Sequence, residues 1–505
     1  MSGSTRSPHA VAAIDLGATS GRVMLGVVEH GRIELIQAHR FENRLIDRDG
    51  RLCWDMDALW AEIRQGLSGA HDLAVVRGLG GLSSIGVDSW AVDYALVGPD
   101  LLDSGGTAVP GTGERFDEVI AYRDSRTEGA ADAVAQRLPR ERQFTLTGIA
   151  QQPFNTLYQL AVDERLADLP TGSTLLMVPD LIGYLLTGRR RTELTNASTT
   201  GMLTAKGDGW AAEILAAAGV QRELLAPLIT PGEQLGTVRP ELGIQLGIGE
   251  VPVLAVGSHD TASAVLAVPA EDAGPVAYIS SGTWSLIGLE LTDPVVAEDA
   301  RRAGFTNEGG VDGTIRFLKN VAGMWLVSES IRQWEEDGAS IDLADLLAAA
   351  EAARGDLYRI DPTDPKFLAP GRMADRVTAA ARPLTSRGGV PRTPAELVRC
   401  ILESLAEAYR EELHTACRLA GAPLPQRLHV VGGGSRNALL NQLTADALGI
   451  EVVAGPMEAT ALGNVALQSR SLGAIAEETG TIRALVRASV ELTRFSPSTS
   501  RRTTG

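Results

Sequence analysis

Apolar positions along this chain come in short runs punctuated by small, hydroxyl-bearing and charged residues. Residues 11–17 (VAAIDLG) and 23–28 (VMLGVV) are two such runs, separated by Ala18-Thr-Ser-Gly-Arg22. Runs this short with small residues between them predict two strands joined by a tight hairpin. A third strand over 33–37 completes an antiparallel meander. Residues 55–70 carry apolar positions at helical spacing, and 82–87 reads as a further strand that continues through 88–94. Residues 99–115 are rich in glycine and proline and predict a loop. From 127 to 230 the pattern is mainly helical, broken at Pro153, Pro170 and Pro179.

A second cycle opens at 252–256 with a strand, followed by a helix start at His259-Asp-Thr-Ala-Ser-Ala-Val265. Strands over 276–281 and 284–289 flank Gly282-Thr283, and helical patterns follow at 320–336 and 341–354. A loop is expected at 361–370, a long helix at 394–420, and a strand at 427–431. Gly432-Gly-Gly434 then leads into a helix at 436–448. The strand–hairpin–strand opening therefore occurs twice, which predicts duplicated architecture without a short repeat period.

Composition narrows the class. At 505 residues the chain exceeds what one hydrophobic core sustains, so two domains are expected. A hydrophobic content of 44% with 22% charged residues fits a folded globular protein. No apolar run reaches the roughly 18 residues that span a bilayer, and the opening MSGSTRSPHA reads as a polar extension without the apolar core of a signal peptide. Cys53, Cys400 and Cys417 lack metal spacing, so a reducing cytoplasm is the expectation. The net charge of −17 argues against a nucleic-acid or anionic-membrane partner. The only lysines are Lys206, Lys319 and Lys366, and none follows a glycine, so the chain has no Walker-type phosphate loop. The seven histidines show no zinc spacing, and no GxGxxG follows the first strand, which argues against a zinc enzyme and a dinucleotide-binding dehydrogenase.

Three stretches carry candidate chemistry. Ile14-Asp-Leu-Gly-Ala-Thr-Ser-Gly-Arg22 puts an acid at a strand end before a bend of small residues. Such a bend lets backbone N–H groups reach phosphate oxygens, and the acid can hold a hydrated Mg²⁺ beside them. Ser280-Ser-Gly-Thr-Trp-Ser285 repeats a hydroxyl and glycine bend. Val430-Val-Gly-Gly-Gly-Ser-Arg-Asn437 lets a flat base and ribose approach the backbone. Each stretch alone is equally readable as a turn; the three in this order, without a Walker loop, point to nucleotide.

These stretches, with Ile85-Gly-Val-Asp-Ser-Trp90, Ala121-Tyr-Arg-Asp-Ser-Arg-Thr127, Gln152-Pro-Phe-Asn-Thr-Leu-Tyr-Gln159, Ser258-His-Asp-Thr-Ala-Ser-Ala-Val265 and Thr306-Asn-Glu-Gly-Gly310, resemble the FGGY carbohydrate kinases of the actin/hexokinase/Hsp70 superfamily. The likeness covers about residues 11–496 and is greatest to the branch acting on L-rhamnulose. It implies an α/β fold of two RNase-H-like (actin-like ATPase) domains hinged around an ATP and sugar cleft and closing on the sugar. The division expected is a polar extension at 1–10, an N-terminal domain at 11–251, a C-terminal domain carrying Asp260 at 252–496, and a tail at 497–505.

The activity implied is ATP-dependent phosphorylation of the ketose at its C1 hydroxyl, with Mg²⁺. Matched residue by residue, Asp260 is the proton acceptor, and Ala91, His259, Asp260, Thr261 and Asn320 contact the sugar. Ala18, Thr19, Ser20, Gly21, Arg22, Thr283, Ser328 and Gly433 contact ATP, and Asp15 holds Mg²⁺ through water. Without the resemblance, Asp260 reads as a helix-start residue and Asn320 as a helix cap. Ala91 stands where the family usually has glycine, and Ser328 where a longer amide occurs. Alternatives are another ketose, such as L-fuculose or a pentulose, and a sensor that keeps the fold without turnover. Tyr122, Arg123, Asp124 and Arg126 are expected to form a structural cluster. The chain is expected to be a monomer or homodimer whose partner is a small ketose.

Overall fold

The computed structural model describes residues 9–116, 118–271, 274–282, 284–367, 369–385 and 389–498; Thr283, expected at the nucleotide, lies outside them. The chain divides into two compact units. The first takes the residues up to Glu271, then Leu291–Arg316 and Ala459–Ser489; the second takes the segment ending at Glu290, Phe317–Glu458 and the residues from Val490 on.

The first unit is built on a six-stranded sheet in the order Gln234–Thr237, Pro252–Leu254, Ser84–Ser89, His9–Leu16, Ser20–Glu29, Arg32–Glu42. The last three strands form the expected meander, with Asp15 opposite Arg22. Ser84–Ser89 runs parallel to His9–Leu16 and sets Asp88 beside Asp15. His9–Leu16 is apolar at every position from Ala10 to Ile14, on both sides of the strand, because both faces are covered. Val23 lies where a Cβ on Gly66 of the helix Met56–Val76 would stand 2.4 Å from it. Three positions on, and so on the opposite face, Gly26 meets Val465 of the helix Ala459–Ser471 with the same closeness. The helix Met56–Val76 starts at Asp55, whose carboxylate accepts from the Ala58 N–H at 3.1 Å, and buries Leu59, Ile63, Leu67, Ala70 and Ala74. Each large apolar side chain so buried contributes about 1.5–3 kcal/mol.

The boundary expected at 251/252 is corrected by this sheet. Pro252–Leu254 pairs in parallel with Ser84–Ser89, so the chain does not leave the first unit there. Asp260 therefore belongs to the same unit as Asp15, and the expectation that it opens a separate C-terminal domain fails. The late helices Ala459–Ser471 and Thr479–Ser489 also return to the first unit. Gln468 ties one of them to the sheet, donating to the Ala12 carbonyl at 3.0 Å and accepting from the Ser84 hydroxyl at 2.7 Å.

The second unit repeats the opening. Val276–Ser281 and Ser285–Leu291 pair antiparallel, and Val276–Ser281 runs parallel to Arg427–Val431, which is parallel in turn to Glu451–Ala454. The long helix is Pro394–Ala420, capped by the Thr393 hydroxyl on the Glu396 N–H and ended by Gly421 at φ 63°. Two other expectations shift. The strand predicted through 88–94 ends at Ser89, because a turn with Val92 at φ 69° intervenes before Tyr94–Val97. The helix predicted from 320 starts at Trp325, and Asn320 lies in the strand Ile315–Val321. Residues 99–115 form the expected loop, held by Asp100 accepting from the N–H groups of Thr112 and Gly113.

Candidate active site

Parallel strands deliver their carboxyl ends to one edge of the first sheet, the edge where α/β proteins place ligands. Asp15 and Asp88 stand side by side there in register. The chain after Pro252–Leu254 continues the series: the Ser89 N–H donates to the Ser258 carbonyl at 2.9 Å, and Ser89 pairs with His259 as a parallel bridge. Asp260 follows immediately as the first residue of the helix Asp260–Leu266. The sequence-predicted residues Asp15, Arg22, His259, Asp260 and Thr261 thus share one unit, and Ala91 lies just beyond the Ser84–Ser89 strand.

The backbone before Asp260 is clamped by residues that sequence reasoning missed. Glu193, buried, accepts from the Ser258 N–H at 3.1 Å and the Ser258 hydroxyl at 2.6 Å. The Thr195 hydroxyl donates to Glu193 at 2.6 Å and accepts from the His259 N–H at 3.2 Å, while the Asn196 amide reaches the Ser258 carbonyl at 3.3 Å. Burial outweighs the hydrogen bonds and lifts Glu193 above its ordinary range. Asp260 then uses one oxygen locally: Oδ1 accepts from the Thr261 N–H at 2.5 Å and from the Thr261 hydroxyl at 3.1 Å. Its side chain is 33% exposed, and among the described residues Oδ2 accepts no hydrogen bond. The carboxylate is fixed by one oxygen and presents the other.

Asp88 feels the other two acids. Asp88 is fully buried; burial and the charges of Asp15 and Asp260 push it well above its ordinary range, while Asn464, donating to Oδ2 at 2.5 Å, and Arg22 oppose the rise. Its Oδ1 is buried and has no hydrogen-bond partner among the described residues. Arg22 donates to Asp15 at 2.6 Å. Among the described residues no group of three or more His, Cys, Asp or Glu holds a metal by itself. Asp15 and Asp88, two carboxylates in register at the strand ends, match in number what magnesium takes before water and phosphate oxygens complete its shell.

The bend after Asp15 is closed by the Gly17 N–H donating to the Ser20 carbonyl, and Thr19 at its tip is exposed. Gly21 has a packing reason of its own, since a Cβ there would meet the Phe41 ring at 2.3 Å. Asn320, Ser328 and Gly433 belong to the second unit, each exposed. Gly433 has open space before it, whereas a Cβ on Gly434 would stand 1.9 Å from the Ser281 hydroxyl. The Tyr122–Arg126 group is structural in part: Asp124 accepts from the Leu52 N–H at 2.9 Å, and Arg126 donates to Gln159 at 2.7 Å. One signal for the missed Asn464 and Gln468 was present, two amides four apart in a helix that is otherwise small and apolar until Arg470.

The family described as "FGGY family of carbohydrate kinases" matches the chain in two parts, its N-terminal domain over residues 10–267 and its C-terminal domain over 277–472. The chain is 41% identical over 487 residues to a rhamnulokinase of Bacteroides thetaiotaomicron, covering 96% of this chain and 95% of that one. It is 39% identical over 487 residues to a rhamnulokinase of Bacillus subtilis, covering 96% and 95%. Among solved structures, a ligand-bound xylulose kinase from Lactobacillus acidophilus superposes with a TM-score of 0.74 at 17% identity, over 97% of this chain and 94% of that one. Plasmodium falciparum glycerol kinase with ADP gives 0.76 at 13% identity over the same shares. No helix among the described residues is long and apolar enough to cross a membrane.

Proposed function

The chain belongs to the FGGY family of carbohydrate kinases, and on that premise we propose that it transfers the γ-phosphoryl group of ATP to the C1 hydroxyl of L-rhamnulose. The products are L-rhamnulose 1-phosphate and ADP, and the reaction serves L-rhamnose breakdown. Near-full-length relatives at about 40% identity are rhamnulokinases, which supports the ketose named. The observation that carries the chemistry is Asp260, anchored through Oδ1 with Oδ2 left for a ligand.

In the step so read, Asp260 accepts the proton of the sugar hydroxyl as its oxygen bonds to the γ-phosphorus and the bond to the β–γ bridging oxygen breaks. Phosphoryl transfer passes through a loose transition state, so aim matters more than base strength. The Glu193–Thr195–Asn196 clamp supplies that aim by fixing the backbone one and two residues upstream. His259 and Thr261 hold neighbouring sugar oxygens, and Asp15 and the Ala18–Gly21 bend face the phosphates. Asp15 would hold magnesium through water, and the ion would neutralise charge on the phosphates.

A second reading, another ketose of similar size, is favoured by Ala91. The methyl where glycine is usual lies beside Val92, a β-branched residue at φ 69°, so this turn is not free to yield. Steady-state rates with ATP and a panel of L-rhamnulose, L-fuculose, L-ribulose and D-xylulose separate the readings. L-Rhamnulose is expected to have the highest kcat/KM; equal or faster turnover of another ketose selects the second reading, and none with any ketose leaves a sensor.

A further inference from the structure

Next to Asp260 lies a buried ionisable cluster of which the reaction as read above uses only His259. Arg316 is completely buried, and Glu308 and His259 are less than a tenth exposed. All three are in the first unit. The Arg316 Nε donates to the Gly309 carbonyl at 3.0 Å, which sets the plane of the guanidinium. One terminal nitrogen then lies 3.0 Å from His259 Nδ1 with hydrogen-bond geometry. The other lies 3.1 Å from Glu308 Oε2. That same Oε2 is 3.2 Å from His259 Nδ1, yet it is aligned for no hydrogen bond to either group. Burial alone would raise Glu308, but the charge of the Arg316 guanidinium beside it holds it below its ordinary range.

The contact with Arg316 bears on which ring nitrogen carries a proton. Arginine has donors only, so a nitrogen bonded to it must accept, and an accepting imidazole nitrogen is bare. The ring proton is then on Nε2, which lies 3.4 Å from Asp260 Oδ1. We propose that Arg316, neutralised by Glu308, is a positioning residue that fixes His259 as the Nε2–H tautomer, so that a donor and the acceptor Asp260 stand side by side before the ketose. The opposite tautomer, donating to Glu308, would turn a lone pair toward the Asp260 carboxylate and set two acceptors together. With the donor in place, a sugar oxygen that can only accept, such as a carbonyl or ring oxygen, is satisfied next to a hydroxyl that gives its proton to Asp260. The use of the pair rests on the kinase reading; the tautomer does not.

The test uses the full chain labelled with ¹⁵N-histidine, without substrate. Long-range proton–nitrogen correlations report the tautomer of each of the seven histidines, and His259→Gln identifies the relevant signals. The expected pattern is a protonated Nε2 and a bare Nδ1 for His259, retained in Arg316→Lys. In the double variant Arg316→Met with Glu308→Gln, which removes both buried charges together, the single tautomer is lost. The KM for the ketose there rises roughly tenfold or more while the KM for ATP changes less than about twofold. A proton on Nδ1 in the parent protein overturns the proposal, as does a double variant that keeps the tautomer. If the double variant does not fold, the parent spectrum and Arg316→Lys still decide. The expected tautomer in a protein that phosphorylates no ketose would leave the assignment standing and remove the kinase reading.

Discussion

The two units open on the same frame and finish it with opposite chemistry. In the first, a hairpin strand ends in Asp15 beside a parallel neighbour ending in Asp88. In the second, the matching strand ends in Ser280 and Ser281 beside a parallel neighbour that runs through Val431 into three glycines. One edge gathers carboxylates; the other gathers hydroxyls and bare backbone. Buried carboxylates are costly unless they are paired or put to use, so their concentration on one copy marks where charge is handled. Hydroxyl and glycine ends cost little and suit contact with a flat, neutral base and ribose. A shared frame therefore does not imply a shared role, because the residues at the strand ends divide the work.

The largest expected effect falls on the acidic edge. Asp260→Asn is expected to slow phosphoryl transfer about 10³-fold, within the 10²–10⁴ typical of a proton acceptor, while ATP binding measured by calorimetry changes less than about twofold. Unchanged turnover would take the chemistry away from this edge.

Next comes the cost of buried charge. Asp93, buried and accepting from the indoles of Trp54 and Trp90, is raised by burial from 3.8 to about 6. Between those values the folded chain binds a proton that the unfolded chain has released. Stability from this group therefore falls as pH rises through the window, by about 3 kcal/mol in all. Denaturant unfolding of the parent and of Asp93→Asn from pH 4 to 7 measures it, and parallel curves would contradict the cost assigned.

On the hydroxyl and glycine edge, Gly434→Ala forces a methyl against Ser281 and is expected to lose about 2 kcal/mol. It should raise the KM for ATP several-fold with the ketose KM unmoved; a rise confined to the ketose would reverse the division of labour. The smallest effect is expected from Ala91→Gly, about two- to fivefold in the ratio of kcat/KM between ketoses, because one methyl discriminates weakly. No change at all would remove Ala91 from the sugar pocket.

Local pattern was enough for most of the frame. The meander, the long helix from Pro394 and the Gly432–Gly434 turn were legible because alternation, capping residues and glycines act over a few positions. Asp15 at a strand end and Asp260 at a helix start could be placed from motifs of the same short range, while the role of Asp260 came only from the family resemblance. The clamp was not, because Glu193 and Ser258 are 65 positions apart and Asn464 and Asp88 are 376 apart. Nothing near Glu193 reports which backbone it will hold. The assignment of Asp260 to a later domain failed for the same reason: only the pairing of Pro252–Leu254 with Ser84–Ser89 places it, and pairing is not written in a strand's own residues. Asn320 was misread because a strand of mixed apolar and charged residues, IRFLKNV, runs into a helical pattern without an intervening proline.

The central claim is that the free oxygen of Asp260 receives the proton of the sugar hydroxyl that takes the phosphoryl group. A crystal structure with L-rhamnulose and ADP bound tests it most directly. The C1 hydroxyl is expected about 2.6–3.2 Å from Asp260 Oδ2, the reach of a general base. A ketose bound with that hydroxyl directed away from Asp260, or seated apart from the Asp15–Asp88–Asp260 edge, would contradict it.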